Sequence, residues 1–242
     1  MKKITRDLVR DENSILHRHD DRKRVIRPII EDMLAVPHTL VKRRVLTDEE
    51  CNMLVALMLQ ADFVELDPKS LDNHAIEPKD KSLLESPLSW KYSHPDGKDY
   101  MNLIPDSYQF EQAMEIVMDV LPEDVQYSTV NYAQIILYNT DTLFHWHKDI
   151  ADENDSATVI FTLNDNFEGG VFNLDENTFK LGSGDMIAFN NPTERWHNVT
   201  PITEGERFCF AIWFGLQETN EDEEDEQSNS EVQSVSEGTS DS

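Results

Sequence analysis

The sequence predicts an α+β protein in which an N-terminal helical half packs on one face of a sandwich or barrel of short β-strands, and three observations carry this. Apolar residues recur at helical spacing up to about residue 121, and from about residue 128 they alternate with polar ones. Six of the eight glycines lie between positions 169 and 215, where they punctuate short apolar runs as turns. An apolar content of 38% in 242 residues is enough for one sizeable buried core. Helices followed by many short strands fold as a sheet sandwich with the helices on one side.

Residues 1–45 read as a basic, partly helical arm, in which Arg22, Lys23, Arg24 and Arg27 border short apolar runs at 25–36. Residues 46–127 read as a helical and loop-rich flank. Thr47 and Glu50 form a capping box, and Cys51, Leu54, Val55 and Met58 follow at helical spacing. A second helix starts near Asp106 with Phe110, Ala113, Met114, Val117, Val120 and Leu121 on one stripe, and Pro122 stops it. Five of the ten prolines fall between 63 and 105, so that stretch reads as long loops with short strands. Its aromatics Trp90, Tyr92 and Tyr100 either line a groove or pack beneath a loop.

Residues 128–217 form the expected β core, with strands at 132–138, 157–163, 169–174, 185–189 and 207–214. Residues 218–242 hold ten acidic residues, no Lys or Arg and almost no large apolar residue, which is the composition of a disordered tail.

Charge narrows the partners. The net charge is −27, and the excess lies in the body and tail rather than in the arm. An acidic body repels phosphates, so a nucleic-acid substrate is not expected, whereas a basic protein or peptide is the electrostatic complement. No stretch approaches 18 uninterrupted apolar residues, and the first residues carry positive charge without an apolar run behind it. Neither a membrane span nor a secretory signal is expected, and a cytoplasmic or nuclear location is. The two cysteines, Cys51 and Cys209, sit in apolar patterns as reduced residues do.

The chemistry concentrates in HWHKD. His147 and Asp149 are spaced i, i+2 on an extended segment, so their side chains point the same way and can hold one ion. Alone such a triplet is a weak signal. A third donor, His197, follows the turn-rich NNPTER and enters another strand. Two histidines and one carboxylate leave up to three positions open on an octahedral metal, the arrangement of non-haem Fe(II) oxygenases.

Strand 207–214 presents Arg207, Cys209, Ala211 and Trp213 on one face and Phe208, Phe210, Ile212 and Phe214 on the other. The first face suits a small cavity with a cation at one end, and the second suits a surface covered by helices. Gln134, Ile136 and Tyr138 share a face of their strand, as do Thr158, Ile160 and Thr162. A buried Arg207 needs an anion, either a structural partner or the far carboxylate of a chelating keto acid.

Together these residues resemble the prolyl 4-hydroxylase-like branch of the 2-oxoglutarate/Fe(II) dioxygenase superfamily. The pattern is H-x-D, then H-x-x-x-P-x-x-x-G-x-[RK], and HNVTPITEGER supplies His197, Pro201, Gly205 and Arg207 in that register. The resemblance spans roughly 128–216. It implies a double-stranded β-helix, or jelly roll, with N-terminal helices on one sheet. It implies Fe(II) on His147, Asp149 and His197, the 5-carboxylate of 2-oxoglutarate on Arg207 with help from Tyr138, and Trp213 as a wall of the pocket. Ascorbate is the reductant such enzymes imply. The implied reaction consumes 2-oxoglutarate and O2, releases succinate and CO2, and hydroxylates a C–H bond, with a prolyl residue of a protein or peptide as the first expectation.

Two alternatives stay open at this level. His145 and His147 form the H-x-H of a cupin, although Glu153 lies too far along for the cupin glutamate, so a non-catalytic metal-binding or interaction barrel competes with the enzyme. A small molecule competes with the peptide as the oxygenase substrate.

Overall fold

A computed structural model describes residues 39–69, 77–85, 88–122, 125, 129–149, 155–190 and 195–215. The expected helical part of the arm and the acidic tail lie outside these residues.

The seven-stranded sheet begins earlier in the chain than the sequence pattern suggests. Strand β1 (Thr39–Lys42) pairs antiparallel with a late strand, so the end of the expected arm is part of the sheet. Helix α1 (Asp48–Gln60) follows, and its capping box is present: the Thr47 hydroxyl accepts from the Glu50 amide, and the Glu50 carboxylate accepts from the Thr47 amide. At the other end the buried Lys91 ammonium donates to the carbonyls of Met58 and Leu59, the groups a helix C-terminus leaves without partners.

The loop-rich stretch contains a hairpin that periodicity did not reveal, β2 (Trp90–Ser93) and β3 (Lys98–Asn102). Helix α2 (Tyr108–Val117) is capped by the Ser107 hydroxyl. It ends one turn before Pro122, with Val120 and Leu121 in the turn beyond it.

The β core runs β4 (Thr129–Tyr138), β5 (Phe144–His147), β6 (Asp155–Thr162), β7 (Phe167–Gly169), β8 (Phe172–Leu174), β9 (Asn177–Phe179), β10 (Met186–Asn190), β11 (His197–Val199), β12 (Ile202–Gly205) and β13 (Arg207–Gly215). The run expected at 169–174 divides at Gly170, where a positive φ turns the chain between β7 and β8. The larger sheet has the order β1-β10-β6-β13-β4-β3-β2, the smaller is β5-β11-β8-β9, and β7 and β12 form a separate ribbon.

Two apolar cores result. On the outer face of the large sheet, Ile135, Leu137, Phe208, Phe210, Ile212 and Phe214 pack against Leu54 and Met58 of α1 and Phe110 and Met114 of α2. On the inner face, Ile136, Tyr138, Cys209 and Ala211 meet Phe172, Leu174 and Val199 of the small sheet, and Trp90, Tyr92 and Tyr100 are buried in the same layer. The alternation read in β13 therefore separates the two cores, helix side from barrel interior. Cys51 and Cys209 are both buried and free.

Candidate active site

His147 closes β5 and His197 opens β11, and the two are register partners across an antiparallel pair. That pairing sets their ring centroids 4.1 Å apart. Asp149 comes in from the segment after β5, with Oδ1 at 3.6 Å from His147 Nε2 and 3.4 Å from His197 Nε2. One donor atom from each of the three residues lies within 4.8 Å of the others. His197, distant in sequence, thus meets the neighbouring pair His147 and Asp149.

The other ring nitrogens are already committed. His147 Nδ1 lies 2.7 Å from the carbonyl of His145, and His197 Nδ1 lies 3.3 Å from that of Arg195. A carbonyl only accepts, so each Nδ1 donates, and each Nε2 keeps its lone pair for the space shared with Asp149. Burial, reinforced by the neighbouring His197, pushes the His147 imidazole down to about 4, which keeps it neutral and able to ligate at pH 7. Burial alone would raise the Asp149 carboxyl, but the adjoining imidazoles, His197 before His147, with the Thr158 hydroxyl donating at 2.8 Å, hold it below its usual range. Three converging donor groups of this kind repel one another unless a cation lies between them, and they fit a divalent metal with open positions. His145 has an exposed side chain and stands outside the cluster, so the H-x-H pair is not brought together here.

The second half of the site is a rung across three strands. Lys98, Tyr138 and Arg207 are register partners on β3, β4 and β13. Arg207 is 1% exposed, and its Nε and Nη1 have no hydrogen-bond partner. Its guanidinium carbon lies 5.2 Å from the centre of the Tyr138 ring, and the buried Thr162 hydroxyl is unpartnered one register step away, opposite Cys209. Burial, followed by the neighbouring Cys209, raises the Tyr138 phenol, so it stays protonated as a donor. A buried cation with two hydroxyl-bearing residues beside it is the chemistry that receives a carboxylate. Trp213 lies elsewhere: six residues of extended chain carry it roughly 20 Å from Arg207. There its ring packs 5.3 Å from Tyr132, opposite Thr158 and so on the Asp149 side.

No sequence motif marks Thr162 or Lys98 for the site. Thr162 was visible as an inward-facing residue, and only its missing partner marks it. Lys98 sits in PDGKDY, a polar turn sequence that carries no sign of burial.

Residues 133–215 match the family model described as the 2OG-Fe(II) oxygenase superfamily. A PKHD-type hydroxylase of Rhizorhabdus wittichii is 39% identical over 62 residues, which cover 24% of this chain and 26% of that protein. Human prolyl 3-hydroxylase 2 is 36% identical over 66 residues, 24% of this chain and 9% of that protein. The alignments thus span about a quarter of the bacterial relative and less than a tenth of the human one. Among solved structures, a Pseudomonas putida prolyl-4-hydroxylase shares the fold at 16% identity and a TM-score of 0.50, covering 76% of this chain and 95% of that one. A Burkholderia pseudomallei oxidoreductase of the 2OG-Fe(II) oxygenase family does so at 13% identity and a TM-score of 0.50, covering 75% and 87%. The paired histidines, the carboxylate and the jelly roll that joins them thus lie within the segment, residues 133–215, that is similar to the 2OG-Fe(II) oxygenase superfamily.

Proposed function

We propose that this chain is an Fe(II)- and 2-oxoglutarate-dependent hydroxylase whose metal is held by His147, Asp149 and His197 and whose co-substrate is anchored by Arg207. The observation that carries the reading is the buried Arg207 guanidinium, whose Nε and Nη1 have no hydrogen-bond partner, since a buried cation of this kind is costly until an anion meets it. Tyr138 and Thr162 donate to the same carboxylate. The catalytic unit takes in β1, α1 and α2 as well as the β core, because β1 belongs to the sheet that carries Arg207 and Tyr138 and the two helices cover its back.

When bound with 2-oxoglutarate and O2, Fe(II) supplies the oxidation in which the keto acid becomes succinate and CO2 and one oxygen atom enters a substrate C–H bond. The chain's part is placement. His147 and His197 offer neutral Nε2 donors, and Thr158 fixes one Asp149 oxygen by a 2.8 Å hydrogen bond and leaves Oδ1 for the metal. Arg207, Tyr138 and Thr162 set the depth of the keto acid, and the apolar layer around Cys209 and Ala211 excludes water. Trp213 and Tyr132 wall the end near Asp149, where the substrate enters.

The substrate proposed is a prolyl residue of a peptide. The similarity to prolyl 3-hydroxylase 2 and to a prolyl-4-hydroxylase supports it, and the net charge of −27 favours a basic peptide. Ascorbate serves as reductant for turnovers without substrate.

The test is anaerobic addition of Fe(II) and 2-oxoglutarate, which produces a weak visible charge-transfer band in the wild type and none in Arg207→Ala. In air, wild type converts 2-oxoglutarate to succinate slowly without substrate. Absence of both, with zinc bound instead, overturns the oxygenase. Comparative mass spectrometry with Asp149→Ala then finds the peptide that gains one oxygen atom.

A further inference from the structure

Lys98 opens β3 directly after the polar turn at 94–97, where a lysine ordinarily stays in water. Instead its side chain is 1% exposed. The ammonium has one carboxylate beside it, Asp96 Oδ2 at 2.7 Å, and Asp96 remains at the rim with 31% of its side chain exposed. Three aromatic rings lie against it. The Phe144 centroid is 3.6 Å from Nζ, and the Tyr138 and Tyr100 centroids are 5.6 Å and 5.7 Å away. An apolar side chain of similar length would fill this space without desolvating a charge, so the ammonium contributes through what it attracts. The face of Phe144 is the nearest such group.

Phe144 leads on to the site. Its ring centroid is 3.8 Å from that of His147, at an interplanar angle of 38°. His147 needs such support more than His197 does. It closes β5, which among the described residues is an edge strand, and the register of β5 with β11 slips between Phe144 and His147, so there one neighbouring strand steadies it. His197 is 4% exposed on β11, between two strands, and packs against Phe172 and Phe189.

We propose that Lys98 is a positioning residue for the metal centre: anchored by Asp96, its ammonium holds Phe144 in place, and Phe144 fixes the plane of the His147 imidazole. This rests on the reading of His147, Asp149 and His197 as the metal centre. The hairpin β2–β3, which contributes no ligand, thereby sets the angle of one ligand through two contacts.

Titration of the full chain with Co(II) alone tests it, read as affinity and as the visible absorption of the bound ion. Loss of a group that orients a metal ligand costs about tenfold or more in metal affinity, and Lys98→Met is expected to show this with an altered Co(II) spectrum. Lys98→Arg, which keeps a cation over the ring, recovers most of the affinity. Phe144→Leu shows the same loss, and the double variant is no weaker than the weaker single one, because the two side chains act in series. Asp96→Asn removes the anchor without touching a buried side chain and weakens Co(II) several-fold, which keeps the test open if Lys98→Met does not fold. Wild-type affinity and spectrum in both Lys98→Met and Asp96→Asn overturn the proposal, as do multiplicative losses in the double variant. A loss confined to 2-oxoglutarate binding also overturns it, by placing Lys98 in the keto-acid pocket. If Asp149→Ala binds Co(II) as wild type does, the metal-centre reading itself has failed.

Discussion

Arg207 and Tyr138 face each other across β13 and β4, with the guanidinium carbon 5.2 Å from the ring centre and two guanidinium nitrogens unpaired. The pair links the fold to the chemistry. The same register that buries this positive charge brings no carboxylate to it among the described residues.

Replacing that charge should therefore separate stability from binding. Arg207→Met is expected to raise the unfolding free energy of the ligand-free protein, by about 1–4 kcal/mol for exchange of a buried ionic group for an apolar one. It should also abolish stabilisation by 2-oxoglutarate, which in metal-loaded wild type reaches about 2.7 kcal/mol at a hundredfold excess over Kd. Denaturant titration with and without the keto acid measures both. A destabilised ligand-free variant would mean that Arg207 already has its partner.

Thr158 contributes one contact to the centre, its hydroxyl donating 2.8 Å to Asp149 Oδ2. Thr158→Val keeps the shape of this fully buried residue and removes the donor. Metal affinity is expected to fall by about tenfold, with the keto acid bound as before once metal is saturating. Isothermal titration with Mn(II), then with 2-oxoglutarate, separates the two.

The metal-free protein should lose stability in mild acid. The folded-state value of His147 is about 4 against an ordinary 6.5, so the stability it contributes is complete above 6.5 and is lost as pH falls from there towards 4. Asp149, held below its usual range, adds a loss in the same direction at lower pH. The slope attributable to His147 is at most about 1.4 kcal/mol per pH unit across that window. Urea midpoints between pH 7 and pH 4 give the slope, and His147→Gln should flatten it.

Gly170 is a further point of leverage. At φ of 60° a side chain is strained, and a Cβ there would sit 2.6 Å from Ile202 Cδ1 and 3.1 Å from Arg207 Cδ. Gly170→Ala is expected to cost about 1–3 kcal/mol for backbone strain. It should weaken 2-oxoglutarate more than metal, because the new methyl presses on the stem of Arg207. Equal losses for both ligands would show a general loosening of the fold instead.

Much of this was written in local sequence. The capping box at Thr47 and Glu50 fixes the start of α1 through contacts three residues apart, and the alternation of 207–214 assigns each side chain to the helix side or the barrel interior, because a strand has no other way to place them. The i, i+2 step from His147 to Asp149 and the ten-residue step from His197 to Arg207 lie on extended segments, where spacing translates directly into direction. Pairing between distant strands carried no such signal. Whether His147 meets His197 depends on β5 lying beside β11, and the burial of Lys98 depends on a hairpin docking next to β4. The lysine reads as a turn residue until the aromatic rings of two other strands close over it. Local residue types and periods determined the elements, their faces and the candidate donors. The tertiary structure decided which cations end up without water, since desolvation is a property of the assembled layers and not of any one segment.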